Sequence, residues 1–176
     1  MMSRDNVRSL DLVNLDELDI EILKILMVRG RAGVREIARA LDKPVSTIST
    51  RIRRLEERGV ISGYTAKVDY ELLGFDVVAL IMLIVDGSRI ESVEKVLASE
   101  PNVRAVYDIT GEYDVAIIAV FRRVRDLDVF IKRLLRNPYI RKSVTSIVFR
   151  RVKDDIHIDI AKLISCRRAT TQEPSI

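Results

Sequence analysis

The first sixty residues contain three short stretches in which apolar side chains recur at helical spacing. Leu18, Ile22, Ile25 and Leu26 line one face of residues 15–29, which predicts an amphipathic helix. Asp16, with Asp19 three residues on, forms a capping pattern at its start, and both acids favour a helix N-terminus. Gly30 and Gly33 frame the break that follows. Residues 34–41 predict a second helix that buries Ile37, Ala38 and Leu41, and Asp42-Lys43-Pro44 interrupts it. Pro44 has a fixed φ and no N–H, which suits the first turn of a new helix. That third helix, residues 45–58, turns Ile48, Ile52 and Leu55 inward and stops at Gly59. Ser46, Thr47, Thr50, Arg53 and Arg54 project to the opposite side, with Arg51 and Arg58 on a flank. Residues 60–68 then alternate like two short strands bent at Gly63. Three helices and a small hairpin predict a winged helix-turn-helix.

After Leu72-Leu73-Gly74, read as a linker, the period changes. Residues 75–85 are a nearly continuous apolar and β-branched run, which predicts a strand buried on both faces. Residues 88–99 predict a helix with Ile90, Val93, Val96 and Leu97 inward, broken by Pro101-Asn102. Residues 103–109 and 113–120 predict strands joined by a turn at Thr110-Gly111-Glu112. Residues 124–135 predict a second helix that buries Leu127, Phe130, Ile131 and Leu134, and residues 143–152 a fourth strand. The order βαββαβ predicts a ferredoxin-like sheet with both helices on one face, an α+β domain. Its other face, dense in Val, Ile and Leu, then needs cover, and a second subunit is the simplest cover. Residues 156–160 predict a further short strand, and the polar end a frayed tail. The expected division is an N-terminal arm (1–14), a winged helix-turn-helix (15–64), a linker with a wing strand (65–74), a ferredoxin-like domain (75–160) and a tail (161–176).

Composition narrows the class. The 176 residues are 48% hydrophobic and 32% charged, as in soluble globular proteins and unlike disordered or membrane chains. No charge-free apolar run approaches the roughly 18 residues of a membrane span, and the N-terminus has no apolar core for a signal peptide. A single cysteine, Cys166, excludes an internal disulfide framework and a cysteine-cluster metal site, so a cytoplasmic location is expected. No glycine-rich phosphate loop or metal-ligand spacing is present, so no cofactor, metal or catalytic residue is expected. The lone histidine, His157, alternates with Ile156 and Ile158 and reads as structural. The net charge of +4 says little, but its distribution says more. Between Lys43 and Lys67, six cations oppose only Glu56 and Glu57, a surplus equal to that of the whole chain. Arginine bonds guanine bidentately, and both arginine and small hydroxyls bond phosphates. Ser46, Thr47, Thr50, Arg51, Arg53, Arg54, Arg58 and Lys67 are therefore the candidate contacts to double-stranded DNA. The helix that carries them, about 20 Å long, suffices to lie across a major groove.

The segments Leu15-Asp16-Glu17-Leu18-Asp19 and Glu36-Ile37-Ala38, and above all residues 51–64 (Arg-Ile-Arg-Arg-Leu-Glu-Glu-Arg-Gly-Val-Ile-Ser-Gly-Tyr), resemble the Lrp/AsnC family. Its members are also called feast/famine regulatory proteins. The resemblance runs over about residues 15–152 and departs at one turn, where the family's usual Gly-Leu-Ser is replaced by Asp42, Lys43 and Pro44. It implies a DNA-binding transcription regulator whose second domain senses ligands, forms dimers through its sheets and assembles further into octamers. Gly111-Glu112-Tyr113-Asp114 matches the family's Gly-Asp-Tyr-Asp loop, which helps form an amino-acid effector site in relatives that bind one. By that resemblance Thr110, Gly111, Glu112, Tyr113 and Asp114 are candidate effector contacts, with the hydroxyls of Thr145 and Ser146 added from the last strand. The plainer alternative is that Gly111 supplies a positive φ to a tight hairpin and the acids are merely solvated. Two other functions stay open on the residues. Sirohaem decarboxylases resemble the same family, although a single histidine and an arginine-rich third helix speak against such an enzyme. An architectural protein that coats DNA with little sequence preference would use the same basic helix.

Overall fold

The computed structural model describes residues 14–154, in two compact units that divide between Lys67 and Val68. The first unit holds α1 (Glu17–Val28), α2 (Val34–Ala40) and α3 (Val45–Glu57). Asp16 and Asp19 build the capping box at the start of α1. The Asp19 amide donates to the Asp16 carboxylate at 3.0 Å, and the Asp16 amide donates to the Asp19 carboxylate at 3.3 Å. Ile22, Ile37, Ile48 and Leu55 are fully buried where the three helices meet.

Both later helix ends are closed by the same device. After α2, Asp42 adopts φ 50°, the Lys43 amide donates to the Ala38 carbonyl at 3.0 Å, and the Asp42 amide reaches Arg39 at 3.4 Å. After α3, Gly59 adopts φ 70°, the Val60 amide donates to Leu55 at 2.9 Å and the Gly59 amide to Glu56 at 2.9 Å. These are Schellman closures, with the left-handed residue just past the helix. Pro44 stands one position before α3, as its N-cap, and not inside the first turn.

The strand pair expected over residues 60–68 does not form among the described residues: that segment has no ladder with them and is exposed from Ser62 onward. Two isolated short strands are marginal without a third strand or a packed face. Among the described residues, the Tyr64 hydroxyl donates to Glu56 at 2.9 Å, and the Val60 and Ile61 amides donate to the Leu55 carbonyl.

The second unit is the expected βαββαβ domain: β1 (Val77–Val85), α4 (Ile90–Ala98), β2 (Val103–Asp108), β3 (Val115–Phe121), α5 (Val124–Leu134) and β4 (Ile140–Ile147). A 3₁₀ turn, Gly87–Arg89, precedes α4. The sheet is antiparallel throughout, in the order β2-β3-β1-β4. Ala79, Ile81, Leu83 and Val85 alternate inward with Val115, Ile117, Ala119 and Phe121, under Val93 and Leu97 of α4 and Leu127 and Phe130 of α5.

Two strand expectations are corrected. β4 begins at Ile140 and ends at Ile147, several residues earlier than expected, because Ile140 packs into the core and residues beyond Ile147 lose their ladder. β1 is fully buried on its inner face and only partly on its outer one, where Val78 is buried. Leu80 stands 41% exposed, and Met82 and Ile84 are half-buried on the side away from the helices. The expected strand over residues 156–160, His157, Cys166 and the tail lie outside the described residues.

Candidate nucleic-acid interface and effector loop

The surface of α3 carries two neighbouring stripes at helical spacing, besides the exposed Val45, Ser49 and Glu56. Ser46, Thr50, Arg53 and Glu57 form the outward one, and Arg53 is 70% exposed with, among the described residues, Glu57 at 3.8 Å as its ion-pair partner. Thr47, Arg51, Arg54 and Arg58 form the other. Arg58 and Lys67 are exposed, Arg58 at the end of α3 and Lys67 on the extended stretch beyond it.

Arg51 and Arg54 turn toward α1. Arg51 reaches both Asp16 and Asp19, the latter at 3.1 Å, and Arg54 bonds Asp19 at 2.8 Å. Asp19 is fully buried. The backbone bond from Asp19 holds the Asp16 carboxyl below its ordinary value; burial opposes it, and the Arg51 guanidinium adds to the lowering. In the sequence alone, Asp16 and Asp19 read only as caps. Their three-residue spacing on α1, matched by that of Arg51 and Arg54 on α3, was the signal for the ion-pair network.

At the other end of α3, no side chain caps the first turn. Its free N–H groups leave the positive end of the helix dipole open to an anion, beside the hydroxyls of Ser46 and Thr47.

In the second unit, residues 109–114 turn β2 into β3. Gly111 sits at φ 120°, a conformation that favours glycine, with open space where a Cβ would be. Asp114 is committed to the backbone. Its carboxylate accepts from the Val85 amide at 2.8 Å, its carbonyl accepts from Ile109, and its amide donates to Leu83. Glu112 pairs with Lys142 of β4 at 3.3 Å, and that ammonium lies 5.5 Å from the centre of the Tyr113 ring. Glu112, Tyr113 and Lys142 thus form one exposed cluster, and Lys142 was not among the expected contacts. Thr110 is exposed beside them.

Thr145 and Ser146 are not gathered there. They pair with Ile81 and Leu80 and so point to opposite sheet faces. Ser146 shares the face of Lys142 but lies four residues along the strand, roughly 13 Å away. Among the described residues no group of three or more His, Cys, Asp or Glu side chains is arranged to hold a metal, and no helix is long and apolar enough to cross a membrane.

Comparison with known proteins agrees with this architecture. Residues 15–62 match the winged helix-turn-helix DNA-binding model, and residues 78–158 match the Lrp/AsnC ligand binding domain. An uncharacterized HTH-type transcriptional regulator from Pyrococcus abyssi is 41% identical over 82% of this chain and 99% of its own length. The HTH-type transcriptional regulator FL11 from Pyrococcus horikoshii is 35% identical over 84% of this chain and 98% of its own. Among solved structures, the feast or famine regulatory protein from M. tuberculosis complexed with L-methionine superposes with a TM-score of 0.75 at 26% identity, covering 82% of this chain and 98% of that one. The chain belongs to the Lrp/AsnC family of transcription regulators.

Proposed function

We propose that this regulator binds DNA as a homodimer that sets its two α3 helices in successive major grooves of a pseudo-palindromic site, about one helical turn apart. The observation that carries the reading is the outward stripe of α3, where Ser46, Thr50 and Arg53 stand free of the protein core beside an uncapped helix start. Arg53 reads a base edge or grips a phosphate, and Ser46, Thr47 and Thr50 supply short hydroxyl contacts. Arg58 and Lys67 add phosphate contacts at the far end. The chain acts by binding, in the cytoplasm, and not by catalysis.

The apolar outer sheet face is the dimer surface, and assembly beyond the dimer joins loops of the 110–114 kind. An amino-acid zwitterion is the effector class that suits the loop: Lys142 for its carboxylate and Glu112 for its ammonium, with the Tyr113 ring alongside. The M. tuberculosis neighbour was solved with L-methionine, so that amino acid is the first to try. A bound effector changes dimer–dimer packing and with it the number of half-sites engaged at once.

The test is selection from random-sequence duplexes across a salt series, with and without L-methionine. Enrichment of a palindrome with steep salt dependence supports the reading and supplies the operator. Tight binding with no enriched motif replaces it with architectural coating of DNA. Absence of binding at low salt overturns both and returns attention to tetrapyrrole chemistry.

A further inference from the structure

The three arginines of α3 differ in what they can reach. Arg53, on the outward stripe, has one loose neighbour, Glu57 at 3.8 Å. Arg51 and Arg54, on the next stripe, are spent on α1. Two guanidiniums meet two carboxylates there, and the shared acceptor is Asp19, the only buried charged side chain among the described residues. For either arginine to swing onto a phosphate it would have to leave Asp19, taking one of two guanidinium partners from a carboxylate with no access to water. Arg54 also keeps its Nε–H buried without a partner, so its guanidinium is held by Asp19 at the expense of one donor. Asp19 is fixed in turn by the start of α1, where it caps and is capped by Asp16.

We infer that Asp19 is a positioning residue: through Arg51 and Arg54 it sets the angle of α3 against α1, and these two arginines do not themselves contact DNA. The inference rests on the DNA-reading role proposed for α3. It narrows the charged part of that surface to Arg53 within the helix and Arg58 at its end, and it has Asp19 act on binding through the placement of α3 and not through direct repulsion of DNA. Two guanidiniums on two carboxylates fix both the rotation and the tilt of one helix on another, which an apolar contact alone does less sharply.

The test uses the full chain and a random-sequence duplex pool, with affinity followed over a potassium chloride series. For the parent, log affinity falls with log salt in proportion to the phosphates contacted. Arg53→Gln should lower that slope by about 1, the loss of one phosphate or groove contact. Arg54→Gln should leave the slope unchanged while reducing affinity at every salt concentration. Asp19→Asn is the sharper variant, because it removes a negative charge from a DNA-binding domain. Simple electrostatics predicts tighter binding, whereas lost positioning predicts weaker binding by about tenfold, the order of one misaligned bidentate contact. Each variant is assayed below its own unfolding transition, established by circular dichroism, so that lost stability alone does not lower affinity. If Asp19→Asn does not fold, Arg54→Lys keeps the charge and loses the planar fork, and it should bind more weakly at an unchanged slope.

A slope change for Arg54→Gln as large as that for Arg53→Gln, or tighter binding by Asp19→Asn, overturns the inference and leaves the DNA reading standing. A parent that does not bind overturns the DNA reading, and the inference with it.

Discussion

Asp42 shows how one residue sets the geometry between α2 and α3. A left-handed φ of 50° costs most L-residues about 1–2 kcal/mol, and aspartate tolerates it better than most because its short side chain bonds locally. The family resemblance made the missing glycine at this turn the place where the helix angle was least determined. The structure answers that at the backbone: the same Schellman closure forms, with aspartate where glycine is usual. Asp42→Val should therefore lower stability by about 1–2 kcal/mol, since a β-branched side chain strongly resists this region. Asp42→Gly should stay within about 0.5 kcal/mol of the parent, because relief of strain is offset by greater freedom in the unfolded chain. Urea unfolding of the three proteins distinguishes the pair. Equal losses for valine and glycine would mean that the Asp42 side chain, and not its φ, holds the turn.

At the level of elements, α1 and α3 were legible because their apolar positions repeat at 3.6 residues, and Ile22, Ile48, Ile52 and Leu55 are buried as the period requires. Which polar face of α3 meets water was harder to read. A helical projection separates buried from exposed, but it says nothing of a partner helix more than thirty residues away. Arg54 therefore projected outward on paper while Asp19 draws it toward α1 in the fold. The strand boundaries failed for a related reason, since Ile140 joins the core through tertiary packing that no local period announces.

The start of α1 carries a pH prediction. The Asp16 carboxyl lies below its ordinary value of 3.8, held there first by the Asp19 amide and then by Arg51. The folded state thus binds that proton less readily than the unfolded state, and stability rises with pH across the interval between the two values. The contribution is complete above 3.8 and is lost as pH falls through the lower, folded value. Asp16→Asn keeps a capping side chain without the charge. Its stability deficit against the parent should be constant from neutral pH down to about pH 5 and should shrink toward zero in stronger acid, as read from urea midpoints. Asp16 is half-exposed, so the deficit is small. A deficit that persists unchanged in acid would assign the effect to the hydrogen bond and not to the charge.

At the scale of the molecule, the decisive feature is a sheet dressed on one side. The helices cover the face of Ala79, Ile81 and Leu83, while Val78, Leu80, Met82 and Ile84 with Ala116, Ile118, Val120 and Val144, flanked on β4 by Lys142 and Ser146, make up the other face. The expectation that β1 would be buried on both faces is met only in part: Val78 is buried on the outer face, but Leu80 is exposed and Met82 and Ile84 are half-buried. That failure is itself informative, because an apolar surface continuous across three strands is what a self-complementary interface requires. Leu80 is the place to probe it: it lies mid-strand and is 41% exposed, so the single chain accommodates a charge there without disturbing its core. In a dimer closed through this face, the same charge would be taken out of water with no partner. Leu80→Glu should leave the helical and strand content unchanged by circular dichroism, while light scattering after size exclusion reports half the mass of the dimer proposed for the parent. Its DNA binding should weaken far more than loss of one contact explains, because two half-sites held by one dimer bind with a local concentration that separate monomers lack. An unchanged mass for Leu80→Glu would move the subunit contact off this face. An unchanged affinity despite dissociation would mean that one α3 helix suffices, and the pseudo-palindromic mode would then fall.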